Sequence, residues 1–119
     1  MALEKPKAPF PSLGEEYAEG VPGIRHVFVS AYEWSVGAGR VIENFIDVAH
    51  FPFVHENTLG TRDRVLVGEH EIEEEEQAFR LTYLQEEPAD PSTGVGEIIS
   101  LQYDCRAPFT VHLKRQTPE

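Results

Sequence analysis

The sequence predicts an α+β fold in which an antiparallel sheet packs on one helical segment. Three observations predict it. Apolar residues recur at helical spacing only between residues 40 and 60, period-two alternation fills the second half, and the alternating runs are joined by short connections. Short connections favour an antiparallel meander over parallel crossovers.

Residues 1–23 read as an extended N-terminal arm, because Pro6, Pro9, Pro11 and Pro22 crowd into it with Gly14, Gly20 and Gly23. Phe10, Leu13 and Tyr17 are the arm's means of pinning itself to a surface. The domain proper is expected to span residues 24–119. It opens on a strand from Ile24 to Val36, where Val27, Val29 and Ala31 alternate with Phe28, Tyr32 and Trp34. Gly37 and Gly39 stop that strand. From Arg40 to Ala49 the spacing becomes helical, and Val41, Ile42, Phe45, Ile46 and Ala49 form one apolar face. Pro52 has no amide hydrogen, so the helix must end, kink or restart there. Gly60 closes the helical region.

Four strands are expected in the second half: Arg64 to Glu75, Ala78 to Glu86, Gly96 to Cys105, and Phe109 to Lys114. Phe79, Leu81 and Tyr83 alternate with Arg80 and Thr82, while Ile99, Leu101, Tyr103 and Cys105 share one face. Pro88, Asp90, Pro91 and Gly94 mark the loop between the second and third of these strands. The run from Glu73 to Glu76 does not read as a cation site. Successive strand positions point to opposite faces, so it is expected to be a solvated turn with its flanks.

With 119 residues, the chain has room for one modest core. Apolar residues make up 40% and charged residues 26%, a globular balance that argues against wholesale disorder. The formal net charge of −11 repels phosphate backbones and anionic lipid, so no nucleic-acid or membrane partner is expected. The single cysteine, Cys105, allows no internal disulfide framework and no iron–sulfur cluster in this chain. It lies in an apolar alternation and reads as a buried, inert thiol. No apolar signal region and no membrane-length run is seen, so cytoplasmic residence is expected.

The chemistry is concentrated in the segment from Glu43 to His55. Asn44, Asp47 and His50 are spaced i, i+3, i+6, which on a helix lines three polar groups beside an apolar face. Such a stripe needs partners, water or a metal. His50 and His55 are five apart, and on a straight helix they would diverge by about 140° beyond a full turn. A bend at Pro52 can bring the two rings back together. Two imidazoles and one carboxylate on one face of an ion is the ligand set of non-haem Fe(II) oxygenases, with Asp47 and Asn44 as the groups available to orient the rings. Ordinary structure remains the bland reading of a His-x4-His pair in a chain with five histidines. A small zinc site using Asp47, His50 and His55 directly is a further alternative.

The segment as a whole resembles the mononuclear-iron motif of Rieske-type ring-hydroxylating oxygenase α subunits. Its closer likeness is to the oxygenase components of aromatic O-demethylases and phthalate-type enzymes. The matching residues, in order and spacing, are Glu43-Asn44, Asp47, His50-Phe51-Pro52-Phe53-Val54-His55 and Thr58-Leu59-Gly60. Tyr32-Glu33-Trp34 and Gly39-Arg40 resemble the family's approach to this helix. The resemblance implies part of a helix-grip (START/Bet v 1-like) catalytic domain. His50 and His55 would bind Fe(II), Asp47 would link the iron site to the cluster of a neighbouring subunit, and Asn44 would sit near the iron. It also implies hydroxylation or O-demethylation in aromatic catabolism, on an aromatic small molecule that Phe51, Phe53 and Trp34 could help to enclose. A separate electron-transfer protein would serve a homo-oligomer.

The chain departs from the family pattern in two ways. One cysteine cannot supply the cluster domain's two Cys-His pairs, and the residues after His55 read as strands where the family places its carboxylate on a distant helix. Asp104, Glu97 and Glu56 are acids without a matching family position. Two functions are therefore carried forward. One is an iron oxygenase catalytic domain in part. The other is a non-catalytic binding or assembly module derived from it, with an empty or weak metal site. His26, His70 and His112 read as structural, and Arg62 and Arg64 as partners of nearby acids.

Overall fold

A computed structural model describes residues 14–88 and 96–117 of the chain. Its described elements are a 3-10 turn at Glu15–Tyr17, one broken helical segment and one sheet. Helix α1 spans Ala38–Ile46, a 3-10 turn follows at Val48–His50, and a single-turn helix α2 covers Phe51–Val54. Strands β1 (His70–Glu75), β2 (Ala78–Glu86), β3 (Ile98–Arg106) and β4 (Thr110–Gln116) pair antiparallel in sequence order. The expected meander is thus the observed topology, and the chain is α+β.

Register follows from the alternation. Leu81 lies opposite Tyr103, Phe79 opposite Cys105, and Tyr83 opposite Leu101. Strand β4 adds Val111 opposite Cys105 and Leu113 opposite Tyr103. A one-residue slip would turn every one of these side chains outward, so the buried face fixes the pairing. Ile99, Leu101, Tyr103 and Cys105 are 0–5% exposed, and Phe51 joins them from α2 to complete the core. Ile46, Val48 and Leu59 pack around its rim. Burial pushes the Cys105 thiol above its ordinary range, with the nearby Asp104 charge adding to the effect. An inert thiol results.

The opposite face carries charge. Glu73, Arg80, Asp104 and His112 occupy successive strands in one cross-strand row. Arg80 Nε donates to Asp104 at 2.7 Å, and Gln102 Nε2 donates to the same carboxylate at 3.0 Å. Glu73 to Glu76 are exposed, as a solvated turn and its flanks should be.

Three expectations are corrected. The alternating run from Ile24 to Val36 forms no strand; residues 22–40 are all exposed, with Phe28 at 91% and Val29 at 79%. Both of its faces are apolar, so it needs a neighbouring strand and a covering layer, and neither lies beside it among the described residues. The strand expected from Arg64 begins only at His70. The chain from Val65 to Val67 runs outside the ladder, tethered where Arg64 pairs with Glu86. The helix expected from Arg40 to Ala49 breaks at Asp47, whose backbone is extended (φ −76°, ψ 92°). Its carboxylate accepts the Ala49 N–H at 2.9 Å and so caps the next turn instead of continuing the first.

Of the N-terminal arm, residues 1–13, including Phe10 and Leu13, lie outside the described residues. Tyr17 is half-buried and meets the His112 ring edge-on at 5.5 Å, so the arm does touch β4. The loop of Asp90, Pro91 and Gly94 also lies outside the described residues, as do residues 118–119.

Candidate functional site

Three short helical pieces replace the single helix, and each break places a side chain. Helix α1 presents Asn44 on its exposed side. Asp47 sits at the junction, where one carboxylate oxygen is held by Ala49 N–H. Its other oxygen lies 3.4 Å from His50 Nδ1. That contact can hold one ring nitrogen of His50 toward an acid and leave Nε2 for a ligand, the usual arrangement behind a metal-bound imidazole.

Pro52 occupies the first turn of α2, where its missing N–H costs no intrahelical bond. His50 and Phe51 keep helical backbone angles (φ −78°, ψ −15° and φ −54°, ψ −46°), so the 3-10 turn runs on into α2 and both histidines follow the break at Asp47. His50 and His55 end with ring centroids 5.2 Å apart and planes tilted by 54°. Two imidazoles sharing one ion through nitrogens at about 2.0–2.1 Å would have centroids roughly 5 Å apart. The observed centroid separation of 5.2 Å is close to that spacing. Phe51, buried at 8% exposed, packs edge-on against both rings, at 5.1 Å from His50 and 6.0 Å from His55. Phe53 and Trp34 are 54% and 61% exposed and enclose nothing in this part of the fold.

The turn after His55 is tightly bonded. The His55 carbonyl accepts from Thr58 N–H at 3.1 Å, Leu59 N–H at 2.9 Å and the Thr58 hydroxyl at 2.9 Å. Asn57 adopts a left-handed backbone (φ 64°) and donates its N–H to the Gly60 carbonyl at 2.8 Å. Gly60 is buried; a Cβ there would lie 2.9 Å from the Pro52 nitrogen, so the position admits only glycine without movement.

Among the described residues, no group of three His, Cys, Asp or Glu side chains converges as a metal cage. The direct zinc set of Asp47, His50 and His55 is accordingly not assembled, because Asp47 faces the back of His50. Asp104 is committed to Arg80 and Gln102 on the far face of the sheet, and Glu56 pairs with Arg62 at 2.8 Å. The remaining histidines are tied locally: His26 Nε2 lies 3.0 Å from the Tyr17 carbonyl and His70 Nδ1 3.2 Å from the Gly68 carbonyl. No described helix is long and apolar enough to cross a membrane.

One buried polar residue escaped the sequence reading. Gln85 is 5% exposed and donates its side-chain amide to the Leu59 carbonyl. The signal was present, since Gln85 continues the inward row of Phe79, Leu81 and Tyr83 at period two.

Comparison with known proteins gives a family. Residues 34–118 match the family described as the vanillate O-demethylase oxygenase C-terminal domain. A probable methylxanthine N7-demethylase (NdmC) from Pseudomonas sp. (strain TJI-51) is 38% identical over 69 residues, covering 56% of this chain and 24% of that protein. The methylxanthine N1-demethylase NdmA of Pseudomonas putida is 32% identical over 94 residues, covering 78% of this chain and 26% of that protein. The chain thus spans about a quarter of the length of these curated relatives. No solved structure matches it.

Proposed function

This chain belongs to the vanillate O-demethylase oxygenase C-terminal domain family, a domain of Rieske-type ring-hydroxylating oxygenases, and we propose that it forms part of an iron-dependent oxygenase catalytic domain. The observation that carries this reading is the pair of imidazoles brought to 5.2 Å across Pro52. His50 and His55 bind the metal as neutral rings. Asp47 holds His50 in the tautomer that frees Nε2, and Phe51 excludes water from the inner side of both rings. Asp47 is itself 51% exposed, which leaves it open to the neighbouring-subunit contact that the motif implies. Asn44 stands nearby on α1 without a ligand role.

Iron bound there would supply O2 activation for hydroxylation or oxidative demethylation. An aromatic substrate is proposed, with N-methylated heteroaromatics favoured by the names of the two relatives. Electrons would come from a separate transfer protein, and a cytoplasmic homo-oligomer would bring a cluster to the site from a neighbouring subunit. The third ligand would come from outside the described residues or be water.

A second reading has one observation in its favour. With no acid completing a three-ligand set with the histidine pair among the described residues, the site lacks the charge that helps hold Fe(II), and the chain could serve as a binding or assembly module.

Anaerobic purification with metal analysis separates the two. Near-stoichiometric iron that disappears in the His50→Ala, His55→Ala double variant supports the oxygenase reading. No metal in either protein, with an unchanged oligomer, supports the module.

A further inference from the structure

The turn from His55 to Gly60 is a self-bonded unit: its internal hydrogen bonds end on the His55 and Gly60 carbonyls. Its first residue is tied to α2 by the His55 N–H bond to the Phe51 carbonyl at 3.0 Å, Glu56 pairs with Arg62, and three further contacts seat the turn on the fold. Gly60 lies flat on the Pro52 backbone, the Leu59 side chain packs at the rim of the core, and Gln85 of β2 reaches the Leu59 carbonyl. The first two are non-directional packing contacts. Among the described residues, the Gln85 bond is the directed tie between the turn and the sheet.

We propose that Gln85 is a positioning residue that fixes the His55–Gly60 turn, and through it the direction of the His55 ring relative to His50. The consequence for metal binding rests on the two-histidine reading above; the consequence for the turn does not. Gln85 sits opposite Ile99 in a row that is otherwise apolar, where an amide has to justify its burial. Half of that amide is used by Leu59. The other half, Oε1, is buried with no partner among the described residues, and Gln85 lines a cavity of about 170 Å³ between the sheet and the Pro52–Thr61 region. A Leu or Met would fill the same space without that penalty, so the feature an apolar residue cannot replace is the directed N–H.

Gln85→Met tests this in the metal-free chain and then with Co(II). By amide hydrogen exchange, protection at Thr58 and Leu59 should fall roughly tenfold while Tyr103 at the centre of β3 stays protected. Co(II) affinity should fall by at least about tenfold, without a matching drop in melting temperature. Gln85→Glu provides a second variant. Its neutral acid can donate to Leu59 and its carboxylate cannot, so protection of the turn should be wild-type-like at low pH and lost at high pH. Unchanged protection of Thr58 and Leu59 in Gln85→Met, or in Gln85→Glu at high pH, overturns the proposal, as does uniform loosening of turn and sheet together. Failure of the unmodified chain to bind Co(II) would count against the metal reading alone, since the exchange result still decides the role of Gln85.

Discussion

Residues 24–36 and 98–106 both read as strands by period two, the first apolar on both faces and the second mainly on one, and they meet opposite fates. In β3, Ile99, Leu101, Tyr103 and Cys105 are buried between two paired strands and a helical lid. In the earlier run, Val27, Val29, Tyr32 and Trp34 are 61–79% exposed. Intrinsic β-propensity does not separate them, because both are rich in β-branched and aromatic residues. What separates them is whether a neighbouring strand is present to accept the ladder. A strand is a property of a pair, and alternation reports only a capacity for pairing.

The largest effect should come from the buried member of this comparison. Ile99→Ala removes a fully buried side chain and should destabilise the fold by about 3 kcal/mol, read from urea unfolding. A loss below about 1 kcal/mol would mean that the sheet face is not the core. Gly60→Ala comes next. Its Cβ would press on the Pro52 backbone at 2.9 Å, and overpacking of that kind costs about 1–3 kcal/mol; the same unfolding assay reads it.

A smaller, pH-dependent effect belongs to the outer face. Burial works to raise the Asp104 carboxyl, but hydrogen bonds from Gln102 and Arg80, together with the Arg80 charge, hold it below its usual range. A depressed carboxyl contributes stability that is present above its unfolded value near 3.9 and lost as pH falls through the folded value. Asp104→Asn should therefore cost about 0.5–1 kcal/mol at pH 7 and flatten the loss of stability in acid, measured by unfolding between pH 7 and pH 2. The smallest effect should be found in the unpaired run. Val29→Ser should shift stability by no more than about 0.5 kcal/mol, because the side chain is already in solvent. A larger loss would show that the run is covered after all, and would bring the two regions back together.

Much of the sheet was legible because each strand's partner is its immediate neighbour in sequence. The inward set of Phe79, Leu81, Tyr83, Ile99, Leu101, Tyr103 and Cys105 followed from period two alone. The run at Val65 to Val67 misled for the opposite reason: it is apolar, yet the ladder with β2 reaches back only to His70. At the site, spacing and Pro52 suggested that the two histidines could meet, but not how. The break falls at Asp47, through a side-chain cap that competes with the helix, and periodicity is blind to such local hydrogen bonds. Gln85 lay within the expected strand and at the inward period, but a polar letter there gives no sign that its amide has a buried partner on a distant turn.

Absorption fine structure at iron, measured on anaerobically loaded protein, addresses the central claim most directly. Two imidazole nitrogens at about 2.1 Å are predicted in the unmodified chain, and one in each of His50→Ala and His55→Ala. An iron environment of oxygen donors alone, unchanged by either substitution, would contradict it.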